Sequence, residues 1–77
     1  MERLTQDDLR AHLLETDDEF RRLATAHLEY ARKIEAIESL PHPSEEQQME
    51  QIKLKKLKLH AKDMMAEIMK RHKSDMQ

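Results

Sequence analysis

The sequence has no cysteine and no glycine, and each absence excludes a class of site. Without cysteine there can be no disulfide framework, no thiolate zinc site and no cysteine nucleophile. Without glycine there is no glycine-rich loop to bind a phosphate. The fold must therefore be stabilised by packing, helix caps or oligomerisation.

Long apolar runs are missing as well. No stretch approaches the roughly 18 to 20 apolar residues that span a bilayer, so we expect no transmembrane segment. Residues 1–8 are polar and acidic, unlike the apolar core of a secretory signal. We therefore expect a cytoplasmic protein.

The chain is short and highly charged. Its 77 residues, 39% of them charged, predict one small helical domain over residues 1–77 with a thin core. Residues 1–43 carry 10 acidic and 6 basic side chains, a balance of −4, and residues 44–77 carry 6 acidic and 8 basic, a balance of +2. Opposite charge on the two halves favours their pairing.

Two prolines, Pro41 and Pro43, divide the chain into two predicted helices. Thr5 is placed as an N-cap, and apolar positions then recur at alternating steps of four and three, which predicts helix one at about 6–39. Ser44 begins a capping box that predicts helix two at about 45–73. With the turn at 40–44, the predicted fold is all-α: an antiparallel, coiled-coil-like two-helix hairpin.

A second capping pattern, Thr16 with Glu19, lies inside helix one. It leaves open whether helix one is continuous or broken near Thr16.

The heptad pattern also predicts how the helices pair. Phe20 falls opposite Met65 and Tyr30 opposite Leu54, whereas Ile34 and Ile37 face only glutamines and need another cover. The predicted apolar face of helix two consists of Leu54, Leu57, Ala61, Met64, Met65, Ile68 and His72.

Three apolar residues of helix two, Met49, Ile52 and Leu59, point away from that face. Leu14 and Leu28 add apolar surface on the flank of helix one. We expect this second surface, together with Ile34 and Ile37, to bind another copy of the chain or a protein partner. The alternative is that supercoiling turns Met49 and Ile52 toward Ile34 and Ile37 within one monomer and leaves only Leu59 exposed.

Residues 51–62 contain five lysines and no acid. Two interpretations are open. The lysines form a solvated face that complements the acidic first half, or they bind a nucleic acid or an anionic membrane surface through its phosphates. The candidate polyanion-binding residues are Lys53, Lys55, Lys56, Lys58 and Lys62.

The lysine run reads Lys-Lys-x-Lys-Leu-x-x-Lys-Asp over residues 55–63 and resembles the YdcH-like family of small bacterial proteins of unknown function. The resemblance extends upstream, at unbroken spacing, to Leu9, Leu13, Phe20, Leu23, His27 and Ile34. It implies a helical hairpin and supplies no catalytic residues to transfer.

The five histidines form no His-x-x-x-His pair, so we expect no metal site and no other cofactor. Two helices scarcely form the concave pocket that catalysis needs, so we expect no enzyme. His27 lies on the seam, either as a partly buried, hydrogen-bonded side chain or as a pH-sensitive register marker. The function expected from the sequence is a helical interaction module, with weak nucleic-acid or membrane-surface association as the alternative.

Overall fold

The computed structural model describes residues 5–75, with side chains described over residues 5–73. It is all-helical, with α1 at Gln6–Thr16, α2 at Asp18–Glu38 and α3 at Glu45–Asp75, and with no strand between residues 5 and 75. The all-α prediction is confirmed, but the predicted number of two helices is wrong, because helix one is divided into α1 and α2.

The division lies at Asp17, where the backbone is extended with φ −117° and ψ 109°. The Asp17 carboxylate accepts a hydrogen bond of 2.9 Å from the Phe20 amide and so caps α2. The Thr16 hydroxyl instead donates to the His12 carbonyl at 2.8 Å. The break therefore occurs, but with Asp17 rather than Thr16 as the cap, because the Thr16 hydroxyl is engaged within α1.

Arg21 stabilises the break from the side of α2. Its guanidinium donates to the carbonyls of Leu14 and Glu15 at 2.8 and 2.9 Å, and its remaining terminal nitrogen pairs with Asp18 at 3.0 Å. The last carbonyls of a helix have no partner within the helix. Arg21 thus satisfies two carbonyls that the break leaves open.

Capping boxes begin the first and last helices. The Thr5 hydroxyl accepts from the Asp8 amide at 3.1 Å, and the Ser44 hydroxyl accepts from the Gln47 amide at 3.1 Å. In return, the Asp8 carboxylate and the Gln47 side-chain carbonyl accept from the capping residues' amides. Both starts agree with the sequence patterns. The 31 residues of α3 give it a length of roughly 46 Å.

Helices α2 and α3 run antiparallel, as two apolar clusters show. Near the turn, Ile34 and Ile37 pack with Leu54 and Tyr30. The expectation that Ile34 and Ile37 lack a cover is wrong, since they are 5% and 9% exposed. Helical side chains lean toward the N-terminus of their own helix, so the isoleucines lean away from the turn and Leu54 leans toward it.

The second cluster joins all three helices. It contains Leu9 and Leu13 of α1, Phe20 of α2 and Ile68 of α3, with Leu23, Met65 and Met69 packed against them. Phe20 therefore lies with Met65, as the heptad pattern predicted.

Two residues of the predicted apolar face, Leu57 and Met64, are 36% and 37% exposed and lie at its edge. Helix α1 packs on the side of α3 that carries Met65 and Met69, so it covers Met69 and leaves Met64 exposed.

We predict that Phe20→Ala lowers the free energy of unfolding by about 3 kcal/mol or more, because it empties the place where three helices meet. Phe20 is fully buried, whereas Leu28 is 50% exposed. Leu28→Ala is therefore the matched control and should cost well under about 1 kcal/mol. Chemical denaturation of both variants measures the difference, and equal losses would place Phe20 outside the core.

Candidate functional site

The three apolar residues singled out on helix two lie on the exposed side of α3. Met49, Ile52 and Leu59 are 70%, 58% and 59% exposed, and we call them the apolar strip. Ile52 precedes the buried Ala61 by nine residues, or about two and a half helical turns, so the strip lies opposite the hairpin contact. Leu28 on α2 and Leu14 on α1 are also exposed, but on other helices.

The five candidate lysines do not share one surface. Lys55 lies 3.9 Å from Glu38 of α2, and both side chains are more than half exposed. Lys53 and Lys56 are exposed elsewhere on α3, and helical periodicity turns them away from Lys58 and Lys62. Only Lys58 and Lys62 line the same concave surface.

That surface is an open cleft of about 870 Å³ to which all three helices contribute, and we call it the basic cleft. Its apolar lining consists of Leu9, Leu59, Met65, Ala66 and Met69, with Gln6 beside them. Its cationic or titratable lining consists of Arg10, His27, Lys58, Lys62, Lys70 and Lys73. Within residues 5–73, no aspartate or glutamate lines it.

Sequence reasoning found Lys58 and Lys62 but missed Arg10, Lys70 and Lys73. A helical spacing in the sequence indicated part of the cleft lining, because steps of three and four residues place side chains on one side of a helix. The positions with this spacing are 58, 62, 65, 69 and 73. Arg10 could not be assigned in this way, because its position depends on where α1 packs after the break at Asp17.

His27 lies half-buried at the edge of the basic cleft. Burial lowers its pKa from the ordinary value of 6.5, and the positive charges of Lys58, Lys62 and Arg10 lower it further. The fold therefore favours the neutral imidazole over the imidazolium more than water does. Because the folded state disfavours the proton, His27 contributes stability that is present above pH 6.5 and is lost as the pH falls through its lowered pKa.

No three histidine, aspartate or glutamate side chains come together as a metal site among the residues that the structure describes. None of the helices between residues 5 and 75 combines the length and apolarity required to cross a membrane.

We predict that Lys58→Gln raises the pKa of His27, because Lys58 is the charged group that lowers this pKa most among the three. The pKa should stay below 6.5, since burial is the main cause of the shift and is unchanged. Titration of the His27 ring protons by NMR measures this, with Lys53→Gln as the control that should leave the pKa unaltered. An unmoved pKa in Lys58→Gln would show that Lys58 does not approach the ring.

Comparison with known proteins gives a family and nothing more specific. A family model described as a protein of unknown function, DUF465, matches residues 20–69, which include α2 from Phe20 onward, the turn and most of α3. No curated protein and no solved structure is detectably similar to the chain. The matched residues include the lysine run, the cluster near the turn and the α2 and α3 members of the second cluster, whereas Leu9 and Leu13 lie outside the match. This agrees with the expected resemblance to a family of small proteins of unknown function. The chain is a member of the DUF465 family of proteins of unknown function.

Proposed function

We propose that this protein is a non-enzymatic helical interaction module of the bacterial cytoplasm, and that the apolar strip on α3 is its interaction surface. A second copy of the chain is the proposed occupant, in a coiled-coil-like arrangement that extends the helical hairpin. A protein partner takes its place if the chain remains monomeric.

The exposure of Met49, Ile52 and Leu59 carries the proposal. Each is a large apolar side chain that is more than half exposed, and all three lie on one side of one helix. Monomeric proteins expose single apolar residues routinely, but an aligned set on a rigid helix forms a contact seam. The strip also lies on the side of α3 that the hairpin leaves uncovered.

The free energies of side-chain burial and of association set the expected affinity of the dimer. Full burial of such a side chain contributes about 1.5–3 kcal/mol, so the six strip residues of a symmetric dimer contribute on the order of 5–10 kcal/mol beyond what the monomer already buries. Association costs at least about 4 kcal/mol in lost freedom of motion. The balance is at most about 6 kcal/mol, so we expect a weak dimer, with a Kd between roughly 40 μM and 1 mM.

Lys56 favours one orientation of that dimer. It lies between Ile52 and Leu59 on the same side of α3 and is exposed. Parallel pairing in register would place the two Lys56 ammonium groups against each other, which is unfavourable. An antiparallel pairing that sets Met49 of one copy opposite Leu59 of the other places Lys56 opposite Ile52 and avoids this contact.

We predict that the wild-type protein is mostly monomeric at about 1 μM and mostly dimeric at about 1 mM, by analytical ultracentrifugation. Met49→Glu with Ile52→Glu should remain monomeric and helical throughout, because it places two charges on the strip and touches neither buried cluster. Thr25→Glu with Ala36→Glu, at exposed positions of α2, adds the same charge and is the matched control that should dimerise. A wild-type monomer at about 1 mM would rule out self-association and leave the strip to a different protein.

The second candidate function is weak association with nucleic acid or anionic membranes through Lys53, Lys55, Lys56, Lys58 and Lys62. The observation in its favour is the acid-free lysine run. The separation of these lysines onto different sides of α3, with Lys55 beside Glu38, favours the interaction module instead. A salt-sensitive mobility shift with DNA, RNA or anionic vesicles that is lost in Lys53→Glu with Lys56→Glu would support the alternative.

A further inference from the structure

The basic cleft is a surface separate from the strip, apart from the shared Leu59, and its lining combines two properties. Its floor is apolar, with Met65 and Met69 beside Leu9 of α1. Around that floor lie five basic side chains, those of Arg10, Lys58, Lys62, Lys70 and Lys73, and no carboxylate within residues 5–73 lines the cleft. Their mutual repulsion is unfavourable in the unoccupied protein, so a ligand that brings negative charge relieves it.

The cations are spread along the cleft and not gathered at one end. From Lys58 to Lys73 the lining follows α3 for 15 residues, a length of roughly 22 Å. A fatty acid or another single-headed amphiphile carries its charge at one end and would leave most of these cations unpaired. A nucleic acid supplies charge along the whole length, but the described lining offers no aromatic side chain on which bases could stack.

We propose that the basic cleft is the docking groove for an acidic amphipathic helix of a partner protein. Such a helix places apolar side chains on the floor at intervals of three and four residues, and carboxylates on either flank within reach of the lysines and Arg10. Flexible methionines at Met65 and Met69 adapt to the side chains that they meet. The groove length of roughly 22 Å accommodates about four turns of helix.

A second copy of this chain does not fit the groove. The main apolar faces of α1 and α2 are already buried in the two clusters, and their exposed leucines, Leu14 and Leu28, are single residues on separate helices. The apolar side of α3 that remains exposed is flanked by Lys53, Lys55 and Lys56, so it would bring positive charge to a positive cleft. The groove therefore extends the proposed function to a second partner and does not depend on dimerisation.

The test uses the full chain and a synthetic 18-residue peptide, helical by circular dichroism, with leucines on one face and glutamates on both flanks. Two further peptides serve as probes: one with every glutamate replaced by lysine, and one with the same composition scrambled so that no apolar face remains. Binding is measured by fluorescence anisotropy at low and moderate salt. We expect binding in the micromolar range for the acidic amphipathic peptide, at least tenfold weaker binding for the other two, and weakening as salt screens the charges.

Paired charge reversals locate the site. Lys58→Glu with Lys62→Glu lies in the basic cleft and should weaken binding of the acidic peptide at least tenfold. Lys53→Glu with Lys56→Glu changes the net charge equally but lies outside the cleft, and its Kd should stay within about threefold of the wild type. Lys70→Glu with Lys73→Glu reverses the other end of the groove and should also weaken binding, which keeps the test decisive if the first pair disturbs folding.

His27 provides a readout that reports occupancy of the groove directly. Carboxylates placed beside Lys58, Lys62 and Arg10 offset the charges that hold its pKa down, so the His27 pKa should rise in the complex with the peptide. The Met49→Glu with Ile52→Glu variant should bind the peptide like the wild type, which separates a failure of this proposal from a failure of dimerisation.

Several results would contradict the proposal that the basic cleft binds an acidic amphipathic helix. Equal binding of the scrambled peptide would show that net charge alone accounts for binding. Equal losses of affinity in Lys58→Glu with Lys62→Glu and in Lys53→Glu with Lys56→Glu would place the contact elsewhere on α3. No binding of the acidic peptide at about 1 mM would also exclude it. Tight binding of dodecanoate or of a single-stranded oligonucleotide, without binding of the peptide, would assign the cleft to a small amphiphile or a nucleic acid.

Discussion

The three helices are joined at the ring of Phe20. This side chain packs with Leu9 and Leu13 of α1 and Ile68 of α3, so it joins α1, which has little other contact with α3, to the α2–α3 hairpin. The position of the ring is itself fixed by a hydrogen bond, because the Asp17 carboxylate caps α2 at the Phe20 amide. Cap and ring together determine where α1 lies, and with it one wall of the basic cleft.

The molecule is long and thin, about 54 by 18 by 16 Å, and two apolar clusters separated along its axis form its core. A small domain buries a modest share of its surface, so each cluster contributes a large part of the stability. The same shape leaves most side chains of α3 in contact with solvent. This shape is consistent with the proposed interaction function, since an elongated helical surface presents seams and grooves.

Helix α3 presents three different sides along its length. One side, with Leu54, Ala61 and Ile68, is buried in the molecule, and the opposite side carries the apolar strip. The third side lines the basic cleft together with α1 and α2. Leu59 belongs to both exposed surfaces, so occupants of the strip and of the cleft would lie next to each other at this residue.

The hairpin itself was predictable from the sequence. Pro41 and Pro43 stop one helix, Ser44 and Gln47 begin the next, and the alternating spacing placed Phe20 against Met65. These features depend on a few neighbouring residues or on a simple period, so they can be identified without coordinates. The exposure of Met49, Ile52 and Leu59 followed from the same period, because helical phase alone turns them from the buried side.

The tertiary structure decided what local patterns left open. Thr16 and Asp17 were both able to cap a helix, and the choice of Asp17 depended on hydrogen bonds of the two side chains that the sequence does not rank. That choice set the path of α1 and brought Arg10 to Lys58 and Lys62, residues about fifty positions away along the chain. The sequence determined the helices and their apolar phases because those are local. Only packing in three dimensions determined the basic cleft, because one of its walls comes from α1, whose position against the other two helices no local period encodes.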